Sequence, residues 1–206
     1  MYRWEITRAA LEQRVVAIVR GDTYDGAAAT ADSLLSAGIT SLEVSLTTPY
    51  ALELVGSLRR EVGTEAVIGA GTVLDAASAR LAVDAGARYL VAPNLDAGVV
   101  ATAHRYGLPV FAGVATPTEA VRALELGVDV LKLFPAAAHE PGWVKDVRAA
   151  LPQAPVLPTG GISVAEAPAW IAAGAVGVGM GSALSGGDRE EVAKRAADLL
   201  ARLAAA

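Results

Sequence analysis

The stretch RVVAIVRGDTYDG, residues 14–26, holds the choice between two folds. Its first half is a short apolar run rich in Val and Ile, the composition of a strand buried on both faces. Its second half is a polar turn leading into an Ala-rich helix. Such a unit belongs either to a doubly wound open sheet or to a closed barrel. An open sheet that takes a dinucleotide carries glycines in a GxGxxG pattern in this first turn, where the backbone approaches a pyrophosphate. RGDTYDG lacks that pattern. The barrel is favoured, provided the unit recurs often enough to close a ring.

It recurs along the whole chain. Further apolar runs are ITSLEVSL (39–46), EAVIGAGTV (65–73), RYLVAPN (88–94), LPVFAGV (108–114), VDVLKLFP (128–135), APVLPTGG (154–161) and AVGVGMGS (175–182). Between them lie helical stretches such as AAATADSLLSAG (27–38), ASARLAVDAGA (77–87) and PTEAVRALELG (117–127). Gly38, Gly86, Gly107, Gly127 and Gly174 end such stretches, where a helix C-cap takes a left-handed residue. Strands alternating with helices imply parallel pairing. Eight units in 206 residues predict a single α/β domain over residues 1–206, a compact (β/α)8 barrel. A short N-terminal helix near residues 4–13 is expected across the bottom of the barrel. The Ala-rich tail (193–206) reads as the last helix, with Asp188 and Glu191 placed as a capping pair.

Composition narrows the function classes. Net charge is −5, and the basic residues form no patch or stripe of the kind a nucleic-acid binder carries. The two histidines, His104 and His139, lie far apart and outside ligand spacing, so no metal is expected. Cysteine is absent, which removes disulfides and thiol chemistry. No apolar run approaches the roughly 18 residues of a membrane span. The opening residues have no apolar signal-peptide core, and the expected location is the cytoplasm.

One side chain is out of place for a buried strand. In DVLKLFPAA (129–137), Lys132 sits among Val130, Leu131, Leu133 and Phe134, and the chain has only three lysines. A buried ammonium costs several kcal/mol unless it is paired or loses its proton. Barrel chemistry sits at the C-terminal ends of strands, and alternation sorts inward from outward side chains. In the second strand Leu42, Val44 and Leu46 face the helices, so Ser41, Glu43 and Ser45 point inward. By the same parity Val130, Lys132 and Phe134 point inward, which sets Lys132 across the barrel from Glu43. Plainer readings exist: Glu43 as an ordinary strand-end carboxylate, Lys132 as half of a structural ion pair. Together at the top of a barrel they suggest catalysis, because such groups concentrate at active sites. An uncharged lysine attacks a ketone to form an imine, which then draws electrons from a neighbouring bond. A carboxylate moves the protons. This is metal-free, cofactor-free imine aldolase chemistry.

Two glycine-rich turns follow strands seven and eight, LPTGGIS (157–163) and GVGMGSAL (177–184). Barrels commonly build phosphate sites from those two loops. Gly160, Gly161 and Gly181 would let backbone N–H groups approach a phosphate, and Ser182 would add a hydroxyl. Either turn alone serves equally for tight packing. Thr72 ends strand three, in an inward set expected to include Ile68 and Ala70. Thr72 and the APN turn (92–94) also read as ordinary turn residues.

With these residues assembled, the chain resembles the 2-keto-3-deoxy-6-phosphogluconate aldolase family of class I pyruvate aldolases. AIVRG, LEVSLTTP, IGAGTV, VAPN, GVATPTEA, LKLFPAA, PTGGIS and GMGSAL occur in matching order and spacing, essentially end to end. The resemblance implies a homotrimeric barrel that splits a phosphorylated 2-keto-3-deoxy acid into pyruvate and glyceraldehyde 3-phosphate. It implies that Lys132 forms the imine and Glu43 is the acid/base. Thr72 would contact the pyruvate carboxylate, Pro93 and Phe134 would wall the pocket, and Gly160, Gly161, Gly181 and Ser182 would hold phosphate. There is one departure. Many members carry Arg where this chain has Thr47, and Arg20, of inward parity with Val16 and Ile18, is expected to supply the guanidinium instead. That leaves the 6-phosphogalactonate epimer and 4-hydroxy-2-oxoglutarate as alternative substrates. Rival functions are another phosphate-binding barrel, such as a sugar-phosphate isomerase or a thiamine-phosphate-type synthase, and a non-catalytic phosphometabolite-binding trimer.

Overall fold

Strands and helices alternate through the whole computed structural model, which describes residues 1–206. In chain order they are α1 (Arg3–Leu11), β1 (Val15–Val19), α2 (Tyr24–Ser36), β2 (Ser41–Ser45), α3 (Ala51–Val62), β3 (Val67–Gly71), α4 (Ala76–Asp84), β4 (Leu90–Val91) and α5 (Ala97–Arg105). Then come β5 (Val110–Val114), α6 (Pro117–Glu125), β6 (Val130–Leu133), a 3-10 turn (Ala136–Ala138), α7 (Pro141–Ala150), β7 (Val156–Pro158), α8 (Ala167–Ala172), β8 (Val178–Met180), α9 (Ser182–Ser185) and α10 (Arg189–Ala205). From β1 to β7 each strand pairs in parallel with the next in sequence, and β1 also pairs with β8. A single bridge, Thr159 to Gly179, joins β7 to β8 and completes the ring. This is a (β/α)8 barrel. The turn RGDTYDG serves helix initiation: the Thr23 hydroxyl accepts the Gly26 N–H at 3.1 Å and caps α2.

The strands are apolar on both faces because the barrel has two cores. The outer one lies between sheet and helices and includes Leu42, Val44, Ile68, Ala70, Leu131 and Leu133. The inner one fills the lower barrel with Val16, Tyr89, Val91, Phe111, Val130 and Leu157, closed from below by Ile6 and Ala10 of α1. Tyr89 and Phe111 stack there with ring centroids 5.0 Å apart. The helix α1 is pinned by Arg3, whose Nε lies 2.9 Å from Asp129 Oδ1. The other oxygen of Asp129 lies 3.1 Å from His104 Nε2 and accepts the Val110 N–H at 3.0 Å. The helix ends follow their sequence signals. Gly38, Gly86, Gly107, Gly127 and Gly174 all have positive φ, and Asp188 with Glu191 forms a capping box on α10. No helix is long and apolar enough to cross a membrane.

Candidate active site at the top of the barrel

The floor of the site is the inner core. Tyr89 is fully buried, and its hydroxyl lies 3.3 Å from Ser41 Oγ. Burial pushes the Tyr89 phenol far above its ordinary range, and the nearby Glu43 carboxylate pushes the same way. It is a neutral, buried floor for what lies above.

Above it stand the two charged residues singled out in the sequence. Glu43 is 3% exposed and Lys132 is 5% exposed, in the middle of β2 and β6. Lys132 Nζ lies 3.8 Å from Glu43 Oε1, so the barrel brings together two side chains 89 positions apart in sequence. That is too long for a tight hydrogen bond. Phe134 stands two residues beyond the lysine with its ring centroid 5.1 Å from Nζ. The ring is 38% exposed at the mouth and packs close to the Cα of Gly160. Pro93 lies on the other side, its carbonyl laid directly over Gly113, which is the register partner of Lys132.

One parity expectation is corrected by the structure. Ile68 and Ala70 face the helices, and it is Gly69 and Gly71 that face the barrel interior. Thr72 nevertheless reaches the site, because its φ of 61° turns the chain after Gly71. A β-branched residue rarely adopts that left-handed conformation. Its hydroxyl lies 3.0 Å from Ser45 Oγ, and Ser45 Oγ lies 2.8 Å from Thr47 Oγ1. Three hydroxyls thus line one wall, with Ser45 the central member.

Arg20 stands just beyond β1 and is exposed at the rim. Its turn is stitched to that of Thr47, because the Gly21 N–H donates to the buried Thr48 hydroxyl at 3.3 Å. On the far side, Gly160 and Gly161 have φ of 91° and 80°, and Gly181 precedes α9, which begins at Ser182. The N–H groups of Gly161 and Gly181 donate to no acceptor within the protein. Two neighbours were not legible from sequence as site residues. Thr48 and Gly71 occur in the quoted motifs LEVSLTTP and IGAGTV but were not singled out. The signal for Gly71 was its register opposite Ser45, one inward position above Glu43.

A cavity of about 550 Å3 opens at the opposite end of the barrel, beside Arg59, Arg60 and Arg88. Two of these arginines lie in the last turn of α3, where cations oppose the helix dipole. No carboxylate, lysine or histidine lines it, so the reactive groups belong to the top.

Residues 6–198 match the family profile described as KDPG and KHG aldolase. The chain belongs to that family. This aldolase is 37% identical over 186 residues to the 2-dehydro-3-deoxy-6-phosphogalactonate aldolase of Escherichia coli K12, covering 89% of this chain and 91% of the relative. It is 31% identical over 191 residues to the KHG/KDPG aldolase of the same strain, covering 88% of each. Among solved structures, the KDPG aldolase of Legionella pneumophila, with pyruvate captured as a covalent carbinolamine, superposes with a TM-score of 0.80. That likeness is 26% identical and covers 100% of this chain and 98% of the other. The aldolase is a lyase by membership of this family.

Proposed function

We propose that this aldolase reversibly cleaves a 2-keto-3-deoxy-6-phospho sugar acid to pyruvate and glyceraldehyde 3-phosphate through an imine on Lys132. The observation that carries the reading is the buried pair of Lys132 and Glu43, 3.8 Å apart at the top of the barrel. The Lys132 amine adds to carbon 2, and water leaves to give the protonated imine. Glu43 takes the proton of the carbon 4 hydroxyl, directly or through water. The bond between carbons 3 and 4 breaks, its electrons pass to the imine, and the aldehyde departs. The resulting enamine is protonated at carbon 3, and hydrolysis releases pyruvate and the free amine. Arg20 and Thr72 hold the carboxylate, Pro93 and Phe134 wall the reacting carbons, and Gly160, Gly161, Gly181 and Ser182 receive the phosphate. Contacts to the remote phosphate orient the chain for cleavage and so raise turnover as well as affinity.

Between the two epimers, the 6-phosphogalactonate acid is the substrate we favour over the 6-phosphogluconate acid. It is the one named for the relative that is 37% identical. A homotrimer is part of the same reading. The exposed side chains of Tyr50, Leu74 and Leu81 beside a cleft between α3 and α4 supply apolar surface for a second copy, and light scattering would measure the assembly. Borohydride reduction in the presence of pyruvate tests the core of the proposal. One adduct per chain should map to Lys132 and to neither Lys145 nor Lys194, and Lys132→Ala should trap none. Trapping by Lys132→Ala would overturn the imine assignment. Comparing kcat/KM for the two epimers decides the substrate.

A further inference from the structure

Glu43 is a buried carboxylate whose nearest cationic partner, Lys132 Nζ, stands 3.8 Å away, so close packing has a part in fixing where it stands. Its nearest packing surface is bare backbone. A Cβ on Gly71 would lie 2.5 Å from both Glu43 Cγ and Cδ, and nearer still to Oε1. The notch directly opposite Glu43 in the register, at Gly69, is already filled: a Cβ there would lie 2.5 Å from Tyr89 Cε2 and Cζ. The Tyr89 ring therefore blocks the lower notch, and the carboxylate leans one inward position up the barrel into the upper one. There it points towards Lys132 and the mouth.

We propose that Gly71 is a positioning residue for the acid/base, its missing side chain being the seat of the Glu43 carboxylate. This rests on the reading of Glu43 as the proton-transfer group. The seat works by contact: the carboxylate occupies the place a side chain at position 71 would take. Gly71 does not have positive φ, so alanine fits its backbone and the added methyl acts through Glu43.

Gly71→Ala tests this. Pyruvate should still be trapped on Lys132 in one adduct per chain, while kcat for cleavage falls about ten- to a hundredfold, as a displacement of about 1 Å at a reacting group does. KM should stay within about twofold, because the phosphate and carboxylate contacts are untouched. A double-mutant cycle separates seating from general damage. In a Glu43→Ala background, Gly71→Ala should cost neither further activity nor further thermal stability, because the overlap has gone. If Gly71→Ala alone fails to fold, the double variant must fold for the proposal to stand. Unchanged kcat in Gly71→Ala, or an equal stability loss in both backgrounds, overturns it. Glu43→Gln measured alongside keeps the two claims apart. Full turnover there removes Glu43 from catalysis, while stability coupling between positions 43 and 71 would still report the seat.

Discussion

At the scale of single residues, Arg20 carries the sharpest expectation. Thr47 is short, and its hydroxyl is engaged with Ser45, so it offers no charge to a substrate carboxylate. Arg20 is next to the Gly21–Thr48 stitch that joins the two turns. A charge-assisted bond to a carboxylate contributes about 1.5–3 kcal/mol, so Arg20→Ala should raise KM for pyruvate-containing substrate by roughly ten- to a hundredfold. Thermal stability should hardly move, since the side chain is exposed. Adding Thr47→Arg should restore part of the affinity from the neighbouring strand. Unchanged steady-state kinetics in Arg20→Ala would remove it from the site. Residues differ in how loudly the sequence announces them. Lys132 was legible because an ammonium between Leu131 and Leu133 contradicts its surroundings. Gly71 was not, because an absent side chain contradicts nothing until the carboxylate that occupies its place is seen.

At the scale of elements, alternation told which residues share a face, and not always which face looks inward. For β2 the answer was plain, because Ser41, Glu43 and Ser45 are polar. For β3 both faces are apolar or bare, so the pattern of Ile68 and Ala70 fitted either side. The left-handed turn at Thr72 then broke the parity that extrapolation had used. Helix ends were more legible because their chemistry is local. At the start of α6 the Thr116 and Glu119 side chains form a capping box. The Ala115 N–H, foremost, and the Thr116 hydroxyl hold the Glu119 carboxyl below its usual value of 4.5. Its folded value is thus lower than its unfolded one. The stability it contributes is complete above about 4.5 and is lost as pH falls through the folded value. The gap in urea midpoint between the parent and Glu119→Gln should therefore narrow on acidification from about pH 6 to about pH 3. A gap that stays constant would show that the carboxylate charge contributes nothing to the cap.

At the scale of the whole molecule, the two ends of the barrel have separate duties. The lower end holds stacked Tyr89 and Phe111, the α1 plug and the Arg3–Asp129 link; the upper end holds every residue assigned to the reaction. Ile6, 2% exposed on α1, should therefore act on stability alone. Ile6→Ala should cost about 2–5 kcal/mol in a denaturant titration, with kcat/KM per folded molecule unchanged. A matching drop in kcat/KM would mean that the plug reaches the chemistry.

The seam of the ring has a consequence of its own. Between β2 and β3 five register pairs run side by side, whereas β7 and β8 share the bridge of Thr159 and Gly179 and, below it, the Val176 N–H donating to the Val156 carbonyl. The barrel is therefore a hoop with a loose clasp, and the clasp falls between the two loops that carry Gly161 and Gly181. A phosphate received by both would fasten it. Substrate would then tighten the very enclosure that reacts on it, and product release would slacken it again. Amide exchange at residues 159–161 and 179–182 should slow when a non-cleavable phosphorylated acid is bound, and exchange between β2 and β3 should stay as it was. Equal protection at both places would show a general stiffening with no clasp to close.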